Sequence, residues 1–364
     1  MKTKKTVGNL LLFVTAMIWG FAFSSQKVAG EVLQPFALNS IRFLLGALVL
    51  LPALFVLDKT RGNGRVFLSV KNRRFIDLTR RELLGGLACG AALLAATIFQ
   101  QFGLLVASPG KASFLTALYM VFVPFWGLAR RKVAAPNVWV SVAIALGGAY
   151  LLTGDGAGGG FSGGDLILFA SAALFGLHIT LIDIFSPGTD GVRLSFVQFA
   201  VAGILAIPGA LIQTSVTGVH ITSAALLTAL PHLLYLGICS SGIGYTSQVV
   251  GQQLSGTPTV ASLIMSLESV FGLLGGVIFL GDVPTSRQIA GCAVILFAVI
   301  FSQLPVGVWL ARVRRRPLPA APTDDGVREA DTGVTGTDGA GTEKTAADDT
   351  GSDADRAEGT APRA

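Results

Sequence analysis

The sequence predicts an all-α integral membrane protein of ten transmembrane helices arranged as two inverted five-helix repeats, followed by a disordered C-terminal tail. Three observations carry this expectation. The 364 residues are 52% hydrophobic and 13% charged, with a mean hydropathy of +0.67, whereas soluble domains carry ~25% charged residues. Apolar stretches long enough to cross a ~30 Å hydrocarbon layer recur along the chain. The later stretches also repeat the earlier ones at a nearly constant offset.

Taken in order, the apolar spans cover residues 7–25, 36–57, 83–106, 109–129 and 136–153, then 165–185, 194–214, 223–250, 258–280 and 286–309. Pro52, Pro124, Pro208 and Pro231 fall inside them, which membrane helices tolerate where neighbours satisfy the freed carbonyls. The basic start followed by an apolar run also fits a secretory leader. An uncleaved first helix is the simpler reading, because removing it would leave an odd number of spans. The organisation is therefore a cytoplasmic N-terminus (1–6), a first five-helix repeat (7–153), a second (165–309) and a tail (317–364). That tail has eleven acidic residues against four basic ones and few apolar residues, so it cannot bury enough surface to offset its ordering entropy.

An offset of 156 places Leu11, Phe13, Thr15, Ala16, Trp19 and Gly20 on Ile167, Phe169, Ser171, Ala172, Phe175 and Gly176. The same offset places Phe43, Leu45, Leu51 and Pro52 on Phe199, Val201, Ile207 and Pro208. An offset of 149 then aligns Pro109, Ala112, Ser113, Leu118, Val121 and Phe122 with Pro258, Ala261, Ser262, Leu267, Val270 and Phe271. The basic loop after the second span accounts for the change. Because five is odd, the two halves must lie in the membrane with opposite direction, as in many secondary transporters.

Charge sets the direction. With the N-terminus inside, cytoplasmic segments hold nineteen Lys and Arg residues, and the outer segments hold only Lys27, Lys111 and Arg287. The positive-inside rule then puts both termini in the cytoplasm of a plasma-membrane protein. Cys89, Cys239 and Cys292 and His178, His220 and His232 are scattered, so no metal, disulfide framework or cofactor is expected. The string Gly154, Gly156, Gly159 lacks the strand–turn–helix setting of a nucleotide loop and joins two spans.

Two five-helix halves, Trp19-Gly20 with Phe23 and Lys27, Arg42-Phe43 in the second span, Glu268 in the ninth and Gly281-Asp282-Val283-Pro284-Thr285 before the tenth together resemble the drug/metabolite transporter superfamily, EamA type. The resemblance spans residues 7 to 305. It implies a secondary carrier of small polar metabolites, amino acids or related compounds and drugs, working by alternating access, with an exporter as the commoner direction. A non-transporting membrane scaffold or sensor is the main alternative, and an intramembrane enzyme a weaker one. No catalytic residue is identified, and the protein is read as not an enzyme.

Glu268 is the sharpest site candidate. Ten residues past Pro258 it lies ~15 Å into its span, where a carboxylate costs at least ~2.5 kcal/mol unless it faces a cavity or a partner. Its repeat mate is Tyr119. Arg42, six residues into the second span, is the candidate structural partner of Glu268, and its own mate is Gln198. With Trp19 these form the candidate substrate pathway. Phe175, Tyr235, Tyr245, Gln100, Gln101 and Gln248 are further candidates for its wall, and His178 and His232 read as packed residues with proton handling as the alternative. Lys27 and Asp183, equivalent across the repeat yet near opposite faces, are gate or interface candidates that cannot pair with each other. The expected partners are a small-molecule substrate and the lipid bilayer, not nucleic acid; a homodimer is conceivable but not indicated.

The orientation yields a direct expectation. In a background without native cysteine, single cysteines at Ser69 and Ser352 should resist an impermeant thiol reagent applied to intact cells, and one at Ala157 should react. External labelling at position 69 would reverse the topology.

Overall fold

The computed structural model describes residues 2–61, 78–132, 134–153 and 162–304. The expected disordered tail, most of the basic loop after the second span and the Gly154–Gly159 string lie outside the described residues. Among those described, ten helical spans follow one another: α1 (Lys2–Val32), α2 (Pro35–Arg61), α3 (Arg80–Val106), α4 (Pro109–Ala129), α5 (Pro136–Thr153), α6 (Gly163–Phe185), α7 (Gly191–Thr217), α8 (Ser223–Ser255), α9 (Pro258–Leu280) and α10 (Ser286–Gln303). Eight are long and apolar enough to cross a membrane, and the apolar stretches of α5 and α10 are shorter. Their limits fall close to the apolar runs, except that α1 and α8 extend further into polar sequence.

Local chemistry fixes the starts and stops. Thr79, Ser162 and Thr285 each open a helix with a reciprocal capping box to Glu82, Asp165 and Gln288. Pro109 and Pro258 sit in the first turns of α4 and α9, where the missing N–H costs nothing. Gly218, Gly256 and Gly281 end α7, α8 and α9 with positive φ, a conformation that a Cβ would oppose.

The packing repeats itself under exchange of α1–α5 with α6–α10. Helices α2 and α7, α4 and α9, and α5 and α10 each pack on their own counterpart, while α1 on α8 matches α6 on α3, and α1 on α9 matches α6 on α4. Individual contacts obey the same exchange. Thr15 donates to the Gly244 carbonyl at 3.1 Å, and its mate Ser171 donates to the Ala96 carbonyl at 2.8 Å. Gly20 packs against Phe271, and its mate Gly176 packs against Phe122, the mate of Phe271. Helix α3 packs mainly on α6 and α7 of the other half, so the halves interlock.

Hydrocarbon solvent explains what faces where. Large apolar side chains such as Leu48, Leu211, Ile212, Leu227 and Phe279 are exposed, while small residues line the helix contacts, because apolar side chains gain little by leaving lipid and close approach wins instead. At Gly20 an added Cβ would lie 2.2 Å from Phe271 Cβ and 2.8 Å from the Glu268 carbonyl; at Gly176 it would lie 2.7 Å from Phe122 Cβ.

Gly20→Ala and Gly176→Ala are therefore each expected to lower the melting temperature in detergent by several degrees, overpacking costing about 1–3 kcal/mol. Gly147→Ala, whose Cβ would meet nothing within 4 Å, should leave it unchanged. Equal melting of all three would show that these contacts yield freely.

Candidate functional site

Two interruptions and one wide turn build the site. Helix α4 is broken at Leu118 and α9 at Ser266–Leu267, so that Tyr119 and Glu268, repeat mates, each open the second segment of their span. At both breaks the chain tightens into i→i−3 hydrogen bonds, Leu118 N–H to the Leu115 carbonyl and Leu267 N–H to the Ile264 carbonyl. In α9, Ser266 and Ser269 hydroxyls donate back to the carbonyls of Leu263 and Ser266 at 2.7 and 2.8 Å, the local competition with helix geometry that serine offers. In α8, Tyr235–Tyr245 winds as a π-helix. The wider turn turns carbonyls outward: Trp19 Nε1 donates to the Ser240 carbonyl at 3.2 Å.

Between these elements lies a small cavity of about 20 Å³, room for about one water, lined by Trp19, Ala22, Phe23 and Gln26 of α1, Arg42 of α2, Gln100 of α3, Thr116 and Tyr119 of α4, Phe175 of α6, Ser240 and Tyr245 of α8 and Glu268 of α9. The guanidinium of Arg42, 2% exposed, donates from Nη1 to Gln26 Oε1 at 2.9 Å, from Nη2 to Ser240 Oγ at 3.3 Å and from Nε to Ser241 Oγ at 3.5 Å. Gln26 is itself tethered, its carbonyl accepting from Gln101 Nε2 at 3.1 Å. Glu268 is equally buried, and its Oε1 has no hydrogen-bond partner within the chain. The Tyr119 hydroxyl faces that carboxyl without closing a hydrogen bond of good geometry. Trp19 and Tyr245 pack with centroids 4.4 Å apart, and Tyr119 meets Phe175 edge-on at 6.5 Å.

Four of the residues singled out from sequence therefore meet at one cavity: Glu268, Tyr119, Arg42 and Trp19. Phe175, Tyr245 and Gln100 join them. The expected structural pair of Arg42 with Glu268 does not form: both reach the cavity, but no ion pair joins them, because serine and glutamine oxygens satisfy the guanidinium instead. Gln198 stands apart from the lining, with its Oε1 3.0 Å from His178 Nε2. Tyr235 donates to the Ile18 carbonyl rather than facing the cavity. Lys27 donates to the carbonyls of Leu104, Leu105 and Ala107 at the end of α3, and Asp183 accepts from Arg130 and Lys132 at 2.9 Å each. Both lie away from the cavity.

Sequence reasoning missed Gln26 and Ser240, which anchor Arg42. Gln26 carried a signal, an amide at the end of the first apolar run next to Lys27. Ser240 carried none, since only the π-helical turn aims it. Among the described residues no three His, Cys, Asp or Glu side chains gather where a metal ion could be held.

Comparison with known proteins fits this geometry. The family model described as the EamA-like transporter family matches twice, over residues 6–154 and 162–304. A protein of Archaeoglobus fulgidus described as an uncharacterized transporter is 30% identical over 305 residues, covering 83% of this chain and 88% of its own. A Clostridium kluyveri protein of the same description is 24% identical, covering 81% and 92%. A crystal structure superposes with a TM-score of 0.61 at 17% identity, covering 86% of this chain and 99% of the other, a likeness of fold.

A direct pair would make each single change, Arg42→Gln or Glu268→Gln, leave a buried uncompensated charge at a cost of about 3–5 kcal/mol, much of it recovered in the double variant. Because no ion pair joins the two, the double variant is expected to recover none of that loss in thermal or denaturant unfolding, and a clear recovery would reveal a direct pair.

Proposed function

The chain belongs to the EamA-like transporter family, and on that premise we propose that it is a secondary transporter of small polar metabolites, amino acids or related compounds, that exports them by alternating access between its two inverted repeats. The observation that carries this reading is a cavity lined by helices of both halves, holding a guanidinium and a carboxyl that form no ion pair. A solute bearing an anionic group and an amine satisfies both at once: Arg42 takes the anionic group with the fork geometry suited to carboxylates, and Glu268 takes the amine. Trp19, Tyr119 and Tyr245 supply flat walls and polar edges, as ligand sites require. The repeats extend over residues 7–153 and 165–309, both termini face the cytoplasm, and the protein resides in the plasma membrane. Gln198 lines the route of the solute outside the central cavity, and Lys27 and Asp183 act at the ends of the spans, where the halves move against each other.

Exchange of a panel of labelled amino acids and related metabolites in proteoliposomes, with and without an imposed pH gradient, tests the reading. At matched abundance, Arg42→Gln and Glu268→Gln should each lower initial rates roughly tenfold or more, the loss of a hydrogen bond to a charged group being worth about 1.5–3 kcal/mol. Unchanged rates in both would remove the cavity from the transport path.

A further inference from the structure

The central cavity is closed toward the face that carries the N-terminus, and what closes it is not apolar. His178 of α6, Ser195 and Gln198 of α7 and Gln248 and Gln252 of α8 are all buried there, and each holds at least one side-chain atom with no hydrogen-bond partner within the chain: His178 Nδ1, Ser195 Oγ, Gln198 Nε2, Gln248 Oε1 and both amide atoms of Gln252. An unsatisfied buried polar group costs about 1–3 kcal/mol, and a closed helix contact has no need of five of them. Their placement is ordered. Tyr245, Gln248 and Gln252 follow the i, i+3, i+7 spacing of one face of α8, a run of ~10 Å along the axis. Its upper end is the cavity, where the His178 ring stands edge-on to Tyr245 at 6.0 Å. Its lower end is open, since Gln252 lines a surface pocket with Asp183, Ser186 and Thr189.

The repeat supplies a second, independent reason. In an inverted-repeat carrier the two halves exchange conformations, so a residue whose mate lines the cavity in one state lines it in the other. Ala22 and Arg42 line the cavity here. At the offset of 156 their mates are His178 and Gln198, the two residues joined at 3.0 Å within the buried group.

We propose that His178, Gln198, Gln248 and Gln252 form the half of the solute path that leads from the central cavity to the face carrying the N-terminus, closed in the present conformation and hydrated when that face opens. This rests on the transporter reading above and deepens it. The four seam residues are neutral donors and acceptors, and the one acidic side chain on the pocket at their open end, Asp183, is already paired with Arg130 and Lys132, which favours passage of a dipolar solute without holding it, as conduction requires binding weak enough to release. The exchange of Arg42 for Gln198 at the equivalent place puts the tight grip on the opposite side of the midplane.

The test uses the full chain with Cys89, Cys239 and Cys292 replaced, and single cysteines at Gln198, Gln248 and Gln252. In inside-out membrane vesicles a charged, impermeant methanethiosulfonate should modify each at least about tenfold faster than a cysteine at the lipid-facing Leu211, and modification should block labelled-metabolite exchange. Exchange by the parent with seam cysteines as inert as position 211 overturns the seam and leaves the transporter reading intact. Absence of exchange by the parent for the whole panel overturns both. Gln248→Leu and Gln252→Leu provide a second arm that does not depend on the folding of the cysteine variants. Removing partnerless polar groups should keep or raise the melting temperature while slowing exchange about tenfold; exchange at the parental rate in both would mean that the seam is only packing.

Discussion

Hydrocarbon offers no hydrogen bonds, so every backbone carbonyl freed from a helix in this protein has to find a donor inside the chain. That constraint decides where the helices are allowed to be irregular. The π-helical stretch of α8 is possible because Trp19 Nε1 and the Thr15 hydroxyl reach the carbonyls of Ser240 and Gly244. The break in α9 is possible because serine hydroxyls return to carbonyls three residues back. The end of α3 is closed by the ammonium of Lys27, and the end of α6 by Arg81, which donates to the carbonyls of Ile184 and Phe185. The irregular backbone and the cavity coincide because the same polar side chains that rescue the backbone also need a water-accessible or solute-accessible place to stand.

The two halves follow one plan but are not charged alike. The contact of α4 with α6 is tied by Lys111 to Asp165 at 3.0 Å near one end and by Arg130 and Lys132 to Asp183 at the other. In the equivalent contact of α1 with α9, Asn9, Lys27 and Val260 stand where Asp165, Asp183 and Lys111 stand, and close packing at Gly20 does the joining. Partly exposed ion pairs contribute ~1 kcal/mol or less apiece, so the difference is small in stability but directional. One of two otherwise equivalent contacts carries an added electrostatic preference for staying together, which biases how an exchange of conformations between the halves would proceed.

Most of the architecture was legible because membrane sequence is governed by two coarse signals, apolar length and the repeat. The alignment put Gly20 on Gly176 and Phe122 on Phe271, and the structure gives these mates matching close contacts, Gly20 on Phe271 and Gly176 on Phe122, which the alignment alone did not name. Glu268 and Tyr119 were legible for the same reason, being polar groups at one depth in mated spans. The partner of Arg42 was not. A charge read from sequence invites an opposite charge, yet the guanidinium rests on Gln26, Ser240 and Ser241, and serine is too common in membrane helices to announce such a task. The breaks in α4 and α9 were hidden because Leu118 and Leu267 are ordinary helix formers; geometry there is set by the helices packed around them.

Resting Arg42 on neutral oxygens has a consequence for recognition. A carboxylate beside the guanidinium would satisfy it more strongly, but it would also have to be displaced by any anionic solute, and breaking a buried pair costs ~3–5 kcal/mol. Dipoles from an amide and two hydroxyls meet the donors without cancelling the charge, so the attraction for an incoming anionic group survives burial. Glu268 is the complementary case, a carboxyl whose Oε1 has no partner within the chain and which the Tyr119 hydroxyl faces. The fold thus holds two buried groups of opposite kind on the lining of one cavity, together with Trp19, Phe175 and Tyr245. Under the proposed transporter reading, a solute that relieves both carries two polar ends, so that selectivity turns on the separation between its charges as much as on its size.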